Sequence, residues 1–217
     1  MIINFANQEL ILLKDGAIFW PKTESIILGD LHLEKGSFFA MKGNFLPPYD
    51  SLDTLRKLSD IATKNRVNKI FLLGDIFHDK SGIERLEKNA KELFLNICRS
   101  YDIKWILGNH DGNSAFTKQI FNKYTFKNIS FVHKAEFTEE FEISGHFHPK
   151  VSYSYKTKRL SNPCFLINDK KIIMPAFGSY AGGLDIKSEV IQKLLVNFEV
   201  FMLGANNVVR LNKNKIL

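Results

Sequence analysis

Four short apolar segments of this chain end in glycine and are followed at once by side chains that can bind metals or transfer protons. In one of them, the run from Ile70 to Leu73 stops at Gly74, and Asp75 comes next. The other three lead to the pairs Asp30/His32, Asn109/His110 and His146/His148. An apolar run that stops at a glycine is typical of a buried strand, which leaves the following polar residues at the edge of the sheet. The pattern therefore predicts one site to which several strands contribute.

All the histidines of the chain lie at or beside these strand ends. They are His32, His78, His110, His133, His146 and His148. A single histidine is more often an ordinary core or surface residue than a ligand, but random placement does not bring a whole set to such positions. The set indicates a shared site, in which imidazole serves as a metal ligand or as a proton donor and acceptor.

Two of the pairs have the spacing of metal ligands. Asp30 and His32 are two residues apart, as are His146 and His148. In an extended segment, residues two apart point to the same side, so both members of a pair can reach one ion. Carboxylate and imidazole together suit a divalent metal such as Mn, Fe or Zn.

Three more residues complete a candidate ligand set. Asp75 can bridge two cations through its two oxygens, Asn109 offers an amide oxygen, and His133 adds an imidazole. The set is large enough for two metals and leaves positions for water and substrate. Two metals about 3.5–4 Å apart stabilise both the attacking and the leaving oxygen of a phosphoryl transfer. The residues therefore predict a two-metal hydrolase.

Strands and helices alternate in the first half of the chain and would position these residues. Two apolar segments within residues 9–20 predict a hairpin. One helix is expected to begin near Asp50 or Ser51, either of which could be its N-cap, and a second to run from Ile83 to Cys98. With a strand at residues 69–73 between them, this is a β-α-β arrangement. Open α/β sheets of this kind bind ligands at the carboxyl ends of their strands.

The second half of the chain has a different pattern. From Phe126 onward the apolar segments are short and separated by turns, which predicts a second, largely antiparallel sheet. The interval between His133 and His146 leaves room for one tight hairpin. Residues 177–183 are rich in glycine but lack the spacing of a dinucleotide-binding loop, so we expect tight turns that close over the site.

Length and composition predict a single domain over residues 1–217, with a polar tail from about residue 211. The chain has 45% hydrophobic and 24% charged residues, which argues against extended disorder. Cys98 and Cys164 are too few and too far apart for a disulfide framework or a zinc ribbon. The amino terminus lacks the features of a secretory signal, and no apolar run is long enough to cross a bilayer. We therefore expect a cytoplasmic protein without membrane contact.

The formal net charge of +7 favours polyanionic partners such as nucleic acid, although a genome biased toward lysine and asparagine gives the same balance. The stretch 150–159 follows the last ligand pair directly and combines basic residues with Tyr153 and Tyr155. Basic groups hold phosphates and a tyrosine can stack on a base, but a solvated hairpin tip has the same composition. Lys35 and Lys42, in the loop after the first pair, are further candidates for substrate contact.

In chain order, the motifs D-x-H, G-D, G-N-H-D, a further histidine and G-H-x-H resemble those of the calcineurin-like metallophosphoesterase superfamily. The resemblance implies an α/β fold of the metallophosphoesterase type, an α/β/β/α sandwich of two mixed sheets flanked by helices. It implies two divalent metals, the first held by Asp30, His32, Asp75 and His148 and the second by Asp75, Asn109, His133 and His146. It also implies that His110 is the leaving-group acid or a stabiliser of the transition state, oriented by Asp111.

A narrower resemblance extends along the whole chain. The segments 30–36, 46–50, 74–79, 145–149, 162–165 and 174–185 are similar to those of the ligase-associated DNA damage response endonucleases. This implies a manganese-dependent phosphodiesterase that acts on DNA in repair, associated with a DEXH helicase and an ATP-dependent DNA ligase. Three residues separate Asp75 from Asp79 where two are usual. The form G-D-x-F-H is similar to the nuclease branch, and it leaves the role of Asp79 open.

The polar residues nearest to the ligands in sequence are candidates for substrate binding, namely Lys35, His78 and Lys150. Two other functions stay open beside that of a nuclease. The motifs fix the reaction and not the substrate, so a small-molecule or nucleotide phosphoesterase is the main alternative. A non-catalytic scaffold of the same fold would have lost ligands, whereas this chain keeps the complete set together with His110.

Overall fold

The structure is a computed structural model, which describes residues 1–47, 49–111, 117, 119–155 and 158–212. Its first sheet has seven strands in chain order. They are β1 (Ile2–Phe5), β2 (Gln8–Leu12), β3 (Ile18–Trp20), β4 (Ser25–Leu28), β5 (Lys69–Leu73), β6 (Asp102–Ile106) and β7 (Ile120–Phe121). Strands β1 to β4 pair antiparallel, and β4 to β7 pair in parallel. The predicted hairpin at residues 9–20 is confirmed as the β2–β3 pair.

The helices are α1 (Lys35–Met41), α2 (Asp50–Lys64), α3 (Gly82–Arg85), α4 (Lys88–Ser100) and α5 (Glu189–Leu194). Helices α2 and α4 are the crossovers between the parallel strands β4, β5 and β6. The second helix was predicted to be continuous from Ile83 to Cys98, and this is wrong. Leu86 leaves the helical conformation, with ψ at 123°, and is buried in the core, so the chain forms two helices around it.

The predicted N-cap of α2 is also wrong. The helix begins after Tyr49, and neither Asp50 nor Ser51 caps it. Their side chains instead bind the start of α1: Asp50 accepts a hydrogen bond from the Gly36 N–H at 3.0 Å, and Ser51 donates one to the Glu34 carboxylate at 2.8 Å. These bonds fix the loop that follows the first ligand pair.

The second sheet has eight strands. They are β8 (Lys123–Phe126), β9 (Ile129–Val132), β10 (Glu142–Ser144), β11 (Lys150–Tyr155), β12 (Lys158–Ile167), β13 (Lys171–Ile173), β14 (Glu199–Leu203) and β15 (Val208–Leu211). The order is β15-β14-β12-β13-β10-β9-β8, and β11 pairs with β12 outside this path.

This sheet is largely antiparallel, as predicted, but it is mixed, because β10 pairs in parallel with both β9 and β13. The tight hairpin predicted between His133 and His146 is therefore wrong. Residues 133–141 instead carry the chain back from the end of β9 to the start of β10. As a result, both strands end on the same side, and His133 and His146 lie at the same edge.

Three clusters of buried side chains separate the layers. The first lies between the first sheet and helices α2 and α4, and the third lies between the second sheet and α5. The second cluster joins the two sheets face to face, with the rings of Phe71 and Phe131 stacked 4.4 Å apart. The predicted α/β/β/α sandwich of two mixed sheets is confirmed. Among the described residues, no helix is long and apolar enough to span a bilayer.

Candidate metal centre

The predicted ligands meet where the parallel strands of both sheets end. Strands β4 and β5 lead to Asp30 and Asp75, while β9 and β10 lead to His133 and His146. Hydrogen bonds join the two sheets at this edge. The His146 N–H donates to Asp30 Oδ2 at 2.9 Å, and His133 Nδ1 donates to the carbonyl of Leu73 at 2.8 Å.

One ligand group consists of Asp30, His32 and His148, whose donor atoms all lie within 4.8 Å of one another. The Nε2 atoms of the two histidines are 3.3 Å apart, and His148 Nε2 is 3.1 Å from Asp30 Oδ1. Asp30 is fully buried and His32 nearly so. This group contains three of the four members of the predicted first site, all except Asp75.

The second ligand group consists of Asp75, His133 and His146. His133 Nε2 lies 3.4 Å from Asp75 Oδ2 and 3.0 Å from His146 Nδ1. The bond from His133 Nδ1 to Leu73 fixes the tautomer that leaves Nε2 free to bind a metal. The two groups are adjacent, because His133 Nδ1 is also 3.9 Å from Asp30 Oδ1. That Asp75 bridges both metals stays a prediction.

The ligands do not lie on extended tips, as the spacing of two residues suggested. Asp30, His32, Asp75, His146 and His148 all have the left-handed conformation, with φ between 45° and 69°. Residues other than glycine adopt this conformation at a cost, and such strained residues cluster at functional sites. The paired side chains do reach one place as predicted, but through a sharply turned backbone.

The donor sets fit divalent cations. Asp30 Oδ1 is buried and has no hydrogen-bond partner among the described residues, although it faces imidazole nitrogens. Burial lowers the pKa of His32 to about 4, so this imidazole is neutral and can act as a ligand. A buried, unpartnered carboxylate oxygen beside imidazole nitrogens is the environment that a bound metal would satisfy.

The second group is charged differently in the absence of metal. Burial raises the pKa of Asp75, but the hydrogen bond and charge of His133 outweigh it and hold that pKa below its usual range. Burial lowers the pKa of His133, yet Asp75 and Asp30 together raise it to about 9. Protonated His133 thus balances the carboxylates, and a metal at this group must displace that proton.

His110 lies at the open side of the second group. Its Nε2 is 3.9 Å from Asp75 Oδ2, and its side chain is 49% exposed. The ring stacks on His78, with centroids 5.8 Å apart and planes inclined by 12°, and its edge meets the His32 ring at 5.9 Å. An accessible imidazole at this place suits proton transfer to or from a bound phosphoester.

Asp111 has a different role from the predicted one. Its carboxylate accepts hydrogen bonds from the N–H groups of Ile76 at 2.8 Å and Gly108 at 2.9 Å and from the Trp105 indole at 3.1 Å. None of its described bonds goes to His110. Burial raises the pKa of Asp111, with these donors opposing the shift. Asp111 therefore ties the loop after β6 to the end of β5 and places the His110 backbone, whose N–H donates to Asp75 Oδ1 at 2.9 Å.

Asn109 is a predicted ligand, and Asp79 is the residue whose role the sequence left open. Asn109 lies between Gly108 and His110 with an exposed side chain, and its role as a ligand stays a prediction. Asp79 forms a paired salt bridge with Arg85, at 2.7 and 3.0 Å. Arg85 also donates to Ser37 of α1. Asp79 thus has a structural partner, which answers the question that its spacing left open.

The candidate substrate-binding residues surround the ligand groups. Lys35 begins α1 and is half-buried, and burial, followed by repulsion from Lys150, lowers its pKa. Lys150 lies 3.4 Å from the carbonyl of Ala181. His78 contacts His32 and His110 through its ring. The site thus has positive charge at its edge.

The basic stretch 150–159 is only partly described. Residues 156–157 and the side chains of 155, 158 and 159 lie outside the described part of the chain. Tyr153 is half-buried against the third core cluster, and its hydroxyl donates to Asn162 at 3.3 Å. This tyrosine therefore packs in the scaffold, and a role of the stretch in nucleic-acid binding stays one of the two alternatives that the sequence left open.

The glycine-rich loop does close over the ligands, as predicted. The N–H groups of Phe177 and Gly178 donate to the carbonyls of Gly29 and Asp30 at 3.0 and 3.1 Å. Sequence reasoning missed Phe38 and Phe39, whose rings lie 4.6 and 5.8 Å from that of His78. Both lie in the segment after the first ligand pair, which was expected to contact substrate. No sequence pattern distinguished these two phenylalanines from core residues.

Comparison with known proteins agrees with this site. The family model of calcineurin-like phosphoesterases matches residues 25–190. The crystal structure of Pseudomonas putida nuclease MPE has a TM-score of 0.74 at 22% identity, covering 97% of this chain and 99% of that chain. Yfce, a phosphoesterase from E. coli, has a TM-score of 0.43 at 12% identity, covering 86% and 97%. A comparison with curated proteins gives no match.

The likeness to the Pseudomonas putida nuclease shows a shared fold, and the family model spans both ligand groups described above. Two adjacent clusters of aspartate and histidine at the carboxyl ends of parallel strands are what a hydrolytic metallophosphoesterase requires. Because the family model matches most of the length of this chain, the chain belongs to the calcineurin-like phosphoesterases.

Proposed function

We propose that this protein is a manganese-dependent phosphodiesterase that cleaves DNA. The observation that carries the proposal is the contact between the two ligand groups with His110 half-exposed beside them. His133 lies 3.4 Å from Asp75 in one group and 3.9 Å from Asp30 in the other. Ligands this close can hold two divalent ions together, which is the arrangement used for phosphoryl transfer.

The residues of the chain divide the work as follows. When bound, the metals supply a nucleophile at neutral pH and neutralise charge on the phosphate. Asp30 and Asp75, with their histidine partners, would hold the ions from the buried side of the site. His110 faces the solvent side and gives a proton to the leaving oxygen. Asp111 holds the loop that carries His110.

The surroundings of the site support a polymeric, negatively charged substrate. Lys35 and Lys150 lie at its edge, where they can hold phosphates on either side of the scissile bond. The segment after α1 exposes Phe45 and Tyr49, at 85% and 62%, and Lys42 precedes them in the chain. Exposed aromatic rings near a cation are typical of surfaces that stack bases. The fold shared with a nuclease from Pseudomonas putida agrees with this choice.

The resemblance to ligase-associated repair endonucleases extends the proposal to its cellular setting. We infer that the protein acts in DNA repair in the cytoplasm, together with a DEXH helicase and an ATP-dependent DNA ligase. A small-molecule or nucleotide phosphoesterase is the alternative, because the same ligand groups hydrolyse either class of ester.

The test uses metal-stripped protein that is resupplied with Mn²⁺. Three substrates are compared: labelled single-stranded DNA, a mononucleotide and a small aryl phosphodiester, with Asp75→Asn as the inactive control. Cleavage of the DNA and of the aryl ester, lost in Asp75→Asn, is the expected result. Cleavage of the mononucleotide without DNA would favour the alternative, and no cleavage of any ester would contradict a metal-dependent hydrolase.

A further inference from the structure

Helix α2 contacts the loop that closes over the metal centre through Lys57 and, by a longer bond of 3.4 Å between hydroxyl groups, through Thr54 and Ser179. Lys57 Nζ donates a hydrogen bond of 2.6 Å to the carbonyl of Phe177 and lies 3.8 Å from the centroid of the Phe177 ring. The ring is 1% exposed. Burial lowers the pKa of Lys57 to about 8, with Asp15 opposing the shift, so the amine is still mainly protonated at neutral pH. Lys57 is thus a charged donor fixed against one carbonyl.

The loop that Lys57 holds lies directly on a metal ligand. The carbonyl of Phe177 accepts from Lys57, and the N–H groups of Phe177 and Gly178 donate to the carbonyls of Gly29 and Asp30. Consecutive hydrogen bonds thus connect Lys57 to the backbone of Asp30. The approach is very close, because a Cβ at Gly178 would lie 2.0 Å from the carbonyl oxygen of Leu31. A displacement of the loop must therefore be transmitted to the backbone of Asp30.

Asp30 needs this support because its conformation is unfavourable. Its φ is 56°, a value that the surrounding structure has to impose. The Asp30 N–H donates to the carbonyl of Gly74 at 3.1 Å on one side, and its own carbonyl accepts from Gly178 on the other. One of these two supports thus depends on the loop held by Lys57.

We propose that Lys57 is a positioning residue for the group Asp30, His32 and His148, and that it acts through the main chain of residues 177–178. The inference rests on the metal-dependent function proposed above. Within the described part of the chain, hydrogen bonds join residues 177–178 to Gly29 and Asp30, and none joins them to the second ligand group. Loss of the Lys57 contact should therefore weaken the first metal more than the second, whose ligands sense Asp30 only through the His146 N–H bond to its carboxylate.

The experiment measures Mn²⁺ binding to the metal-stripped full-length protein by isothermal titration calorimetry. Lys57→Met keeps the aliphatic stem on the Phe177 ring and removes the donor. Lys57→Arg keeps a charged donor and tests for rescue. Lys64→Met, an exposed lysine on the same helix, is the control for loss of charge. Circular dichroism of the metal-free proteins checks that each variant folds, and Lys57→Gln replaces Lys57→Met if that variant does not.

Wild type and Lys64→Met are expected to bind two ions. In Lys57→Met, the affinity of one ion should fall about tenfold or more, as is usual when a residue supporting a ligand is lost, while the affinity of the other falls clearly less. Lys57→Arg should recover most of the affinity. Two unchanged ions in Lys57→Met, or an equal loss at both, would overturn the inference. A wild-type protein that binds no Mn²⁺ would overturn the proposed function itself, and this inference with it.

Discussion

Replacing Gly145 with alanine would test whether the close approach of the two sheets holds the metal ligands in place. A Cβ at this position would lie 2.3 Å from Asp30 Oδ2, whereas ordinary contact begins at 3.4 Å. The Asp30 carboxylate or the end of β10 must therefore move by about 1 Å. Gly145 has no positive φ, so the substitution adds a clash without backbone strain.

The expected loss follows from this displacement. Metal ligands tolerate changes of about 0.2 Å in distance, and a misplacement of about 1 Å in an active site can cost about 100-fold in rate. His146 follows Gly145 directly and donates its N–H to Asp30 at 2.9 Å, so both ligand groups are disturbed together. We expect kcat/KM for an aryl phosphodiester to fall by about 100-fold, or about 2.7 kcal/mol of transition-state stabilisation.

The assay is Mn²⁺-dependent release of the aryl group at a fixed metal concentration, after circular dichroism has shown that the variant folds. Gly182→Ala is the matched control, because a Cβ there meets nothing within 4 Å and Gly182 also has no positive φ. Gly182→Ala should retain wild-type activity. A Gly145→Ala variant with activity close to wild type would refute the argument that this contact positions the ligands.

Three other substitutions test separate parts of the structure. His110→Ala should reduce kcat for DNA cleavage by about 10²- to 10⁴-fold. The loss of kcat with an aryl phosphodiester should be far smaller, because that leaving group needs no proton, and equal losses would contradict a role as leaving-group acid. Phe45→Ala should reduce kcat/KM for single-stranded DNA about tenfold and leave the aryl ester unaffected, whereas Phe45→Trp should retain DNA cleavage. Lys171→Met leaves Glu142 buried without its partner at 3.4 Å, so urea denaturation should show a loss of about 3–5 kcal/mol. Adding Glu142→Met should recover most of that stability.

The gathering of ligands at one edge could be predicted from the sequence because it depends on local pattern and on one general property of sheets. The apolar run before Gly74 is a strand that the structure confirms at Lys69–Leu73. Its neighbours β4 and β6 pair with it in parallel, so the residues after each strand end on the same side. Parallel pairing was indicated by the helices between them, which leave no other short connection.

The direction of β10 could not be predicted in the same way. Its partner on one side is β13, which lies about thirty residues further along the chain, and both this pair and the β9–β10 pair are parallel. A short apolar segment indicates an extended conformation but contains no information about a distant partner. The spacing from His133 to His146 therefore suggested a hairpin, although the same residues form a crossover.

Asp111 shows why a motif predicts a residue's place better than its contacts. It follows His110 in sequence, and adjacency suggested that its carboxylate orients the imidazole. The carboxylate instead accepts three hydrogen bonds from Ile76, Gly108 and Trp105, which belong to two different strand ends. A half-buried carboxylate with three donors at hand gains more from satisfying them than from one bond to an exposed ring. Because those donors come together only when β5 and β6 pair, the role of Asp111 is a property of the sheet and not of the motif.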